Sequence, residues 1–135
     1  MPEKRIMLTR EDYEKLKRII QTYKHSNRLK SAHLVKLAKE LETAVVVDSS
    51  EIPGNIVTIN SVVKYFDLNE NKPYEVKIVF PAEKDDTDET SSILSPLGTA
   101  LIGEVESSST ICMAPSGEIP LKIEKILKQP EKEKI

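Results

Sequence analysis

The sequence predicts an α+β protein, in which a short antiparallel helical hairpin (1–47) precedes an antiparallel sheet domain with one short helix (48–135). Apolar residues recur at helical spacing in the first segment. β-Branched runs bounded by turn residues recur in the second. Between two of those runs lies LSPLGTALIG, which is too apolar for a surface loop and too short for an ordinary globular helix.

Two amphipathic helices are predicted, at 9–23 and 31–44. Thr9 is the expected N-cap of the first, and Asp12 is placed to reach back to the cap amide as in a capping box. Each helix has one apolar seam, and we expect the seams to pack together in an arm of about 20 Å. The seam residues are Tyr13, Leu16, Ile20 and Tyr23 in the first helix, and Leu34, Leu37, Ala38 and Leu41 in the second.

The sequence after the second helix predicts a hinge, a set of strands and a charged tail. The hinge at 45–55 contains Pro53 and Gly54, which stop helix propagation. The acidic segment 83–89 is expected to be an exposed loop, and the tail from 129 is expected to fray. Strands are predicted at 56–60, 62–68, 74–80, 110–114 and 121–127.

The stretch LSPLGTALIG predicts a short helix that covers one face of the sheet. Ser95 can cap it, and Pro96 suits the first helical position because its missing N–H is not needed there. Gly103 suits the position after the helix end. A single sheet needs such a cover to bury enough apolar area, here supplied by Leu97, Leu101 and Ile102.

Composition excludes several classes of function. The chain has 135 residues, a net charge of −2 and a single cysteine, Cys112, which excludes an intrachain disulfide and a multi-cysteine zinc site. No apolar run is long enough to span a membrane, so we expect a cytoplasmic protein. His25 and His33 have no neighbouring metal ligands and are expected on helix surfaces, and no cofactor is predicted.

Charge is unevenly distributed along the chain. Residues 1–43 carry 11 Lys or Arg and 6 Asp or Glu, whereas residues 44–135 carry 9 and 16. This asymmetry indicates two structural modules with different surfaces.

The order of the C-terminal motifs resembles that of the bacterial Gre transcript-cleavage factors. SPLGTALIG, a strand, the PSG turn and a final strand resemble their C-terminal domain, and the hinge AVVVDSSEIP resembles their linker. Within this family the shorter hairpin is most similar to the Rnk group, regulators of nucleoside diphosphate kinase. The resemblance implies an FKBP-like C-terminal domain preceded by a coiled coil.

The same resemblance implies that the partner is RNA polymerase. In Gre factors the C-terminal domain docks at the rim of the secondary channel and the coiled coil points inward. The residues that this assigns to polymerase binding are Leu94, Ser95, Pro96 and Leu97. The alternative is that Ser95 and Pro96 serve only to cap the short helix that covers the sheet. Gre factors usually have Asn or Asp where this chain has Leu94.

The hairpin tip departs from the Gre pattern. In that family two tip carboxylates help to hold a catalytic metal ion, which as a hard cation requires oxygen ligands. Here the tip contains Lys24, Asn27, Arg28 and Lys30, and no acidic residue occurs between Glu14 and Glu40. We therefore expect no bound metal and no stimulation of transcript cleavage. The basic tip is either close to nucleic acid, since cations neutralise phosphates, or a solvated turn.

Three functions follow from these observations. The first is a non-enzymatic, monomeric regulator that binds RNA polymerase near the secondary channel and competes with Gre factors. The second is a peptidyl-prolyl isomerase, suggested only by the FKBP-like fold, although fold alone does not determine function. The third is a module that dimerises through the hairpin.

Overall fold

The computed structural model describes residues 5–133, and this part of the chain is α+β as predicted. Its helices are α1 (Arg10–His25), α2 (Ala32–Thr43), α3 (Pro96–Leu101) and α4 (Pro130–Glu133). Its strands are β1 (Met7–Thr9), β2 (Val45–Val47), β3 (Val62–Asp67), β4 (Lys72–Val79), β5 (Thr90–Ser92), β6 (Ser109–Ala114) and β7 (Gly117–Lys128).

Five strands form the main sheet in the order β5-β4-β3-β7-β6. The sheet is antiparallel except for its β4–β5 pair, which is parallel and makes the sheet mixed. Helix α3 contacts both edge strands, β5 and β6. One short helix can reach both edges because the sheet curls around it, as the predicted covering role requires. We call this sheet with α3 the head.

A second, two-stranded sheet was not predicted. Strand β1 pairs in parallel with β2, so that Leu8 lies opposite Val46. The Met7 N–H also donates to the Gly103 carbonyl at 3.1 Å, which ties β1 to the end of α3. Because β1 immediately precedes α1 and β2 follows α2, this sheet closes the base of the helical hairpin. The segment interpreted as a hinge is therefore partly strand.

Helix α1 begins and ends with local hydrogen bonds. The predicted cap is confirmed, since the Asp12 N–H donates to Thr9 Oγ1 at 3.2 Å. At the other end Asn27 adopts a left-handed conformation with φ of 57°. The Arg28 N–H donates to the Tyr23 carbonyl at 2.8 Å, and the Asn27 N–H donates to the Lys24 carbonyl at 3.2 Å. This pair of bonds is a Schellman motif, with asparagine in the position that glycine usually occupies.

The other half of the predicted capping box is not formed. Asp12 Oδ2 instead accepts a hydrogen bond from the Ile59 N–H at 3.2 Å, which joins α1 to the segment before β3. That segment was predicted as a strand, but it is irregular. Its Thr58 N–H donates to Ser61 Oγ at 2.9 Å, and Asn60 has a φ of 72°. Side-chain acceptors have replaced a strand partner here.

The two helices of the hairpin pack against each other as expected, but the hairpin also lies against the head instead of standing out from it as an arm. Helix α2 contacts α3 and β6 as well as α1. Both helices contribute to the same hydrophobic core as the head, through Leu16 and Ile20 of α1 and Leu37 and Leu41 of α2. The hairpin and the head therefore share one hydrophobic core.

The tail is ordered where it was expected to fray. Gln129 is buried, and its Nε2 donates to the carbonyls of Pro53 and Ile56 at 2.6 and 2.9 Å. In α4, Glu131 Oε1 accepts from Thr58 Oγ1 at 2.7 Å. These bonds fasten the C-terminal segment to the irregular segment before β3. Residues 134–135 of the predicted tail lie outside the described part.

We expect the buried Asp12 carboxyl to make the stability of the fold depend on pH. Burial, reinforced by the nearby Glu131 charge, raises the pKa of this carboxyl from 3.8 to about 6, although the Ile59 N–H opposes the shift. The folded state therefore favours the protonated form. The stabilising contribution of the protonated Asp12 carboxyl is complete below the pKa that this group has in the unfolded chain. It is lost as the pH rises through about 6, the pKa in the folded state. Ionisation of Asp12 then costs about 2–3 kcal/mol at neutral pH.

We expect Asp12→Asn, which keeps an acceptor for Ile59, to raise the free energy of unfolding at about pH 7.5 by about 2 kcal/mol and to change it little at about pH 4. Urea unfolding across this range measures the difference. Asp48→Asn is the matched control, because Asp48 is 60% exposed and pairs only with the exposed Arg10. Parallel pH profiles for Asp12→Asn and the unaltered protein would contradict the assignment.

Candidate functional site

The residues predicted to bind polymerase form the corner between β5 and α3. We call residues 94–97 the docking corner. Ser95 caps α3 as predicted, because its Oγ accepts from the Gly98 N–H at 3.0 Å. The same hydroxyl donates to the Ser92 carbonyl at 2.7 Å and lies 2.8 Å from Ser91 Oγ. The Ser95 hydroxyl thus has three hydrogen-bond partners within the protein, and these bonds hold the corner in shape.

Gly98 allows α3 to approach the backbone that precedes it. A Cβ atom at this position would lie 2.2 Å from the Ser92 carbonyl oxygen and 2.8 Å from Ile93 Cα. Both neighbours are backbone atoms, so they cannot move aside as a side chain could. The small residue therefore sets the position of the docking corner relative to the sheet.

The hairpin touches the docking corner directly. His33, in the first turn of α2, places Nε2 3.0 Å from the Leu94 carbonyl oxygen, and the His33 side chain is half-buried. His33 therefore lies on a helix as expected, but its ring also contacts the head instead of facing only solvent. Leu94 and Leu97 are half-buried against the core, and Pro96 is equally half-buried at the start of α3. Part of the apolar area expected to face a partner already packs within the protein.

A groove beside Leu97 was not foreseen from the sequence. The rings of Tyr65 and Tyr74 stack in it with centroids 5.7 Å apart, and Val76 lies further along its wall. Burial raises the pKa of Tyr65 to about 12, and Tyr74 Oη donates to Glu70 at 2.9 Å. The sequence could have indicated this tyrosine pair, because the short loop between the predicted strands 62–68 and 74–80 places Tyr65 opposite Tyr74.

The hairpin tip is exposed and basic, as the sequence indicates. All four predicted tip residues, Lys24, Asn27, Arg28 and Lys30, are exposed. The Arg28 guanidinium lies 4.6 Å from the centre of the Tyr23 ring, and its Nε donates to Ser26 Oγ at 2.8 Å. Arg28 is therefore held by the turn itself.

The tip and the docking corner lie at the same end of the molecule. Lys30 is only three positions before His33, whose ring contacts Leu94. An arm projecting from the head would separate these two sets of residues by its length. The packed hairpin brings them together instead.

The remaining sequence candidates are structural. The acidic segment 83–89 is exposed, and Asp85 Oδ1 accepts from the Thr87 N–H and from the hydroxyls of Thr87 and Thr90. These bonds lower the pKa of Asp85 to about 2. Cys112 is buried in β6, and burial raises the pKa of its thiol. Among residues 5–133, no group of three or more His, Cys, Asp or Glu side chains converges as a metal site.

This fold is that of a family whose members are transcription elongation factors. Residues 52–128 match the family described as transcription elongation factor, GreA/GreB, C-term. The chain belongs to this GreA/GreB family. Within the described residues, no helix combines the length and apolar character needed to cross a membrane.

Individual relatives agree with the family match. The transcription elongation factor GreA of Clostridium beijerinckii is 35% identical over 94 residues, which cover 70% of this chain and 59% of that protein. GreA of Clostridioides difficile is 36% identical over 90 residues, covering 67% and 57%. The chain thus spans less than two thirds of the length of these relatives.

A solved structure matches nearly the whole chain. The prokaryotic transcription elongation factor GreA/GreB from Nitrosomonas europaea is 29% identical, with a TM-score of 0.75. The alignment covers 93% of this chain and all of that one. The likeness therefore includes the helical hairpin as well as the head.

Measurements of the free energy of unfolding test the close approach of Gly98 to the backbone of Ser92 and Ile93. We expect Gly98→Ala to lower the free energy of unfolding by about 3 kcal/mol or more, because the new Cβ clashes with backbone atoms in a packed region. Gly54→Ala is the control, since its Cβ would meet only the flexible Lys132 side chain at 3.3 Å. The control should change stability by less than about 0.5 kcal/mol. Equal effects in denaturant unfolding would show that Gly98 does not set the corner.

Proposed function

We propose that this protein is a non-enzymatic regulator that binds RNA polymerase near the secondary channel without stimulating transcript cleavage. Membership of the GreA/GreB family and similarity to proteins named GreA support the polymerase as partner. The single observation that carries the finer proposal is the chemistry of the tip. Its exposed charged residues are cationic, and the chain has no carboxylate between Glu14 and Glu40.

The physical reason is ligand chemistry. A divalent metal ion prefers carboxylate oxygens, and a cluster of ammonium and guanidinium groups repels it. The packed hairpin argues in the same direction. Helix α2 is held to the head through Leu37, Leu41 and the His33 contact, so extending the tip away from the head would expose buried apolar area.

We also propose that the chain is of the Rnk type within the family. Its hairpin helices have only 16 and 12 residues, in agreement with the short arm that suggested this likeness. In this proposal the docking corner contacts the polymerase chiefly through Leu94, Pro96 and Leu97. Ser95 acts by shaping the corner, because its hydroxyl is already engaged within the protein.

A charge introduced at the corner tests the binding surface. We expect Leu97→Glu to weaken binding to a bacterial core RNA polymerase by about tenfold or more, because a carboxylate would be desolvated at an apolar contact. Leu68→Glu is the matched control, since Leu68 is 46% exposed and lies in the β3–β4 turn. Fluorescence anisotropy of the labelled protein measures the affinity, and circular dichroism confirms that both variants fold.

Competition and cleavage assays test the rest of the proposal. A GreA protein should displace the labelled chain from the polymerase, because both would occupy the same surface. In backtracked complexes the chain alone should leave RNA cleavage at its basal rate, while GreA accelerates it. If the chain does not bind polymerase, the whole proposal is wrong. If it binds and accelerates cleavage, only the non-cleaving role is wrong.

A second candidate is a peptidyl-prolyl isomerase, favoured by the groove beside Leu97. Stacked Tyr65 and Tyr74 give that groove an aromatic wall. Its rim, however, carries the charged Lys84 and Asp88, and the groove is open rather than enclosed. Robust turnover of a proline peptide, abolished by Tyr65→Ala, would favour this candidate over the polymerase regulator.

A further inference from the structure

Helices α1 and α2 leave an open groove between them, distinct from the docking corner. Its volume is about 360 Å³. We call it the hairpin groove. Its apolar part is formed by side chains that are half-buried or nearly buried, including Tyr13, Leu29, Val35 and Ala38.

Lysine residues line the edges of the hairpin groove. Lys17 and Lys24 lie on the α1 side and Lys39 on the α2 side, and all three are exposed. The Lys17 ammonium lies 5.8 Å from the centre of the Tyr13 ring, so its charge is at the apolar surface rather than directed away from it. Glu42 is the single acidic residue of the lining.

We propose that the hairpin groove binds an acidic amphipathic helix of a partner protein. A groove between two helices accepts a third helix, whose apolar residues at i, i+3 and i+4 pack on the floor. Acidic residues flanking that stripe then meet Lys17, Lys24 and Lys39. This surface is additional to the docking corner and does not depend on it.

Charge disfavours a second copy of this chain as the occupant. Two hairpin grooves placed face to face would bring the three lysines of one copy against those of the other. Like charges at an interface oppose association. The acidic segment of this chain, 83–89, is an irregular loop and not a helix that could fill the groove.

The lining also favours a helix over nucleic acid. Binding of single strands relies on aromatic side chains on which successive bases stack. Tyr13 is the one aromatic residue among those that line the groove, and it is half-buried beneath Lys17. The aliphatic floor instead matches the leucine-rich stripe of an amphipathic helix.

A designed peptide tests the proposal on the full chain. The probe is a fluorescein-labelled helix of about 16 residues, matching α1, with leucines on one face and glutamates on the rest. We expect saturable binding that weakens about tenfold for Lys17→Glu combined with Lys39→Glu, because two attractive contacts become repulsive. Binding should also weaken when salt rises from about 50 to about 500 mM.

Matched controls separate this site from general electrostatics. Lys122→Glu combined with Lys128→Glu makes the same change in net charge on exposed positions of β7 and should leave peptide binding unchanged. Leu97→Glu, at the docking corner, should also leave it unchanged. A peptide with lysine in place of glutamate should not bind.

Four results would overturn the proposal, of which three come from the peptide-binding assay. Those three are absence of saturable binding, equal loss in the β7 control, and displacement of the peptide by a short single-stranded RNA that itself binds more tightly. Sedimentation velocity that shows dimers broken by Lys17→Glu and Lys39→Glu would assign the groove to a second copy instead. The charge-reversed residues are exposed, and circular dichroism verifies that each variant is folded.

Discussion

The architecture depends on how closely α3 approaches the backbone turn that leads into it. At Gly98 no side chain fits between the helix and the Ser92 carbonyl. This contact lets α3 sit within the curl of the sheet and touch both edge strands. It also presents the outer side of α3 as a surface on which α2 can pack. The close contact at Gly98 therefore contributes to the surface on which the helical hairpin packs.

Apolar packing, rather than attraction between the basic and acidic halves, holds the hairpin in place. Arg10 and Asp48 lie 3.4 Å apart, but both are about 60% exposed. Exposed ion pairs of this kind contribute little, about 0–1 kcal/mol. Leu16, Leu37 and their neighbours are fully buried and belong to the common core, with each such side chain contributing about 1.5–3 kcal/mol. The uneven distribution of charge is therefore a property of the surface, and it is not what holds the hairpin on the head.

The sequence was sufficient for features that depend on local residues. Thr9, Ser95 and Pro96 mark helix starts by their own chemistry, and the bounds of β3, β4 and β6 were predicted to within two residues. Strand β7 was predicted four residues short at its start. Features that depend on distant partners were missed. The three residues of β1 are too few to show periodicity, and they become a strand only because Val45–Val47 lies beside them.

The same distinction explains the errors at the candidate site. Residues 56–60 have the composition of a strand, but the N–H groups of Thr58 and Ile59 donate to the hydroxyl of Ser61 and the carboxylate of Asp12 instead of to a strand partner. The direction of the hairpin was misjudged because an apolar seam does not reveal which surface covers it. Only the contact of His33 with Leu94 shows that the tip lies beside the docking corner.

These observations change how the tip should be compared with that of a cleavage factor. An acid-free tip at the end of an extended arm would need only new side chains to acquire metal ligands. In this protein, carboxylates introduced at the tip would lie close to the first turn of α2, which contacts the head at Leu94. Delivering a metal ion would then require both acidic residues and release of Leu37 and Leu41 from the core. Under the proposal of a non-cleaving regulator, substitution at the tip alone would therefore supply only the acidic residues.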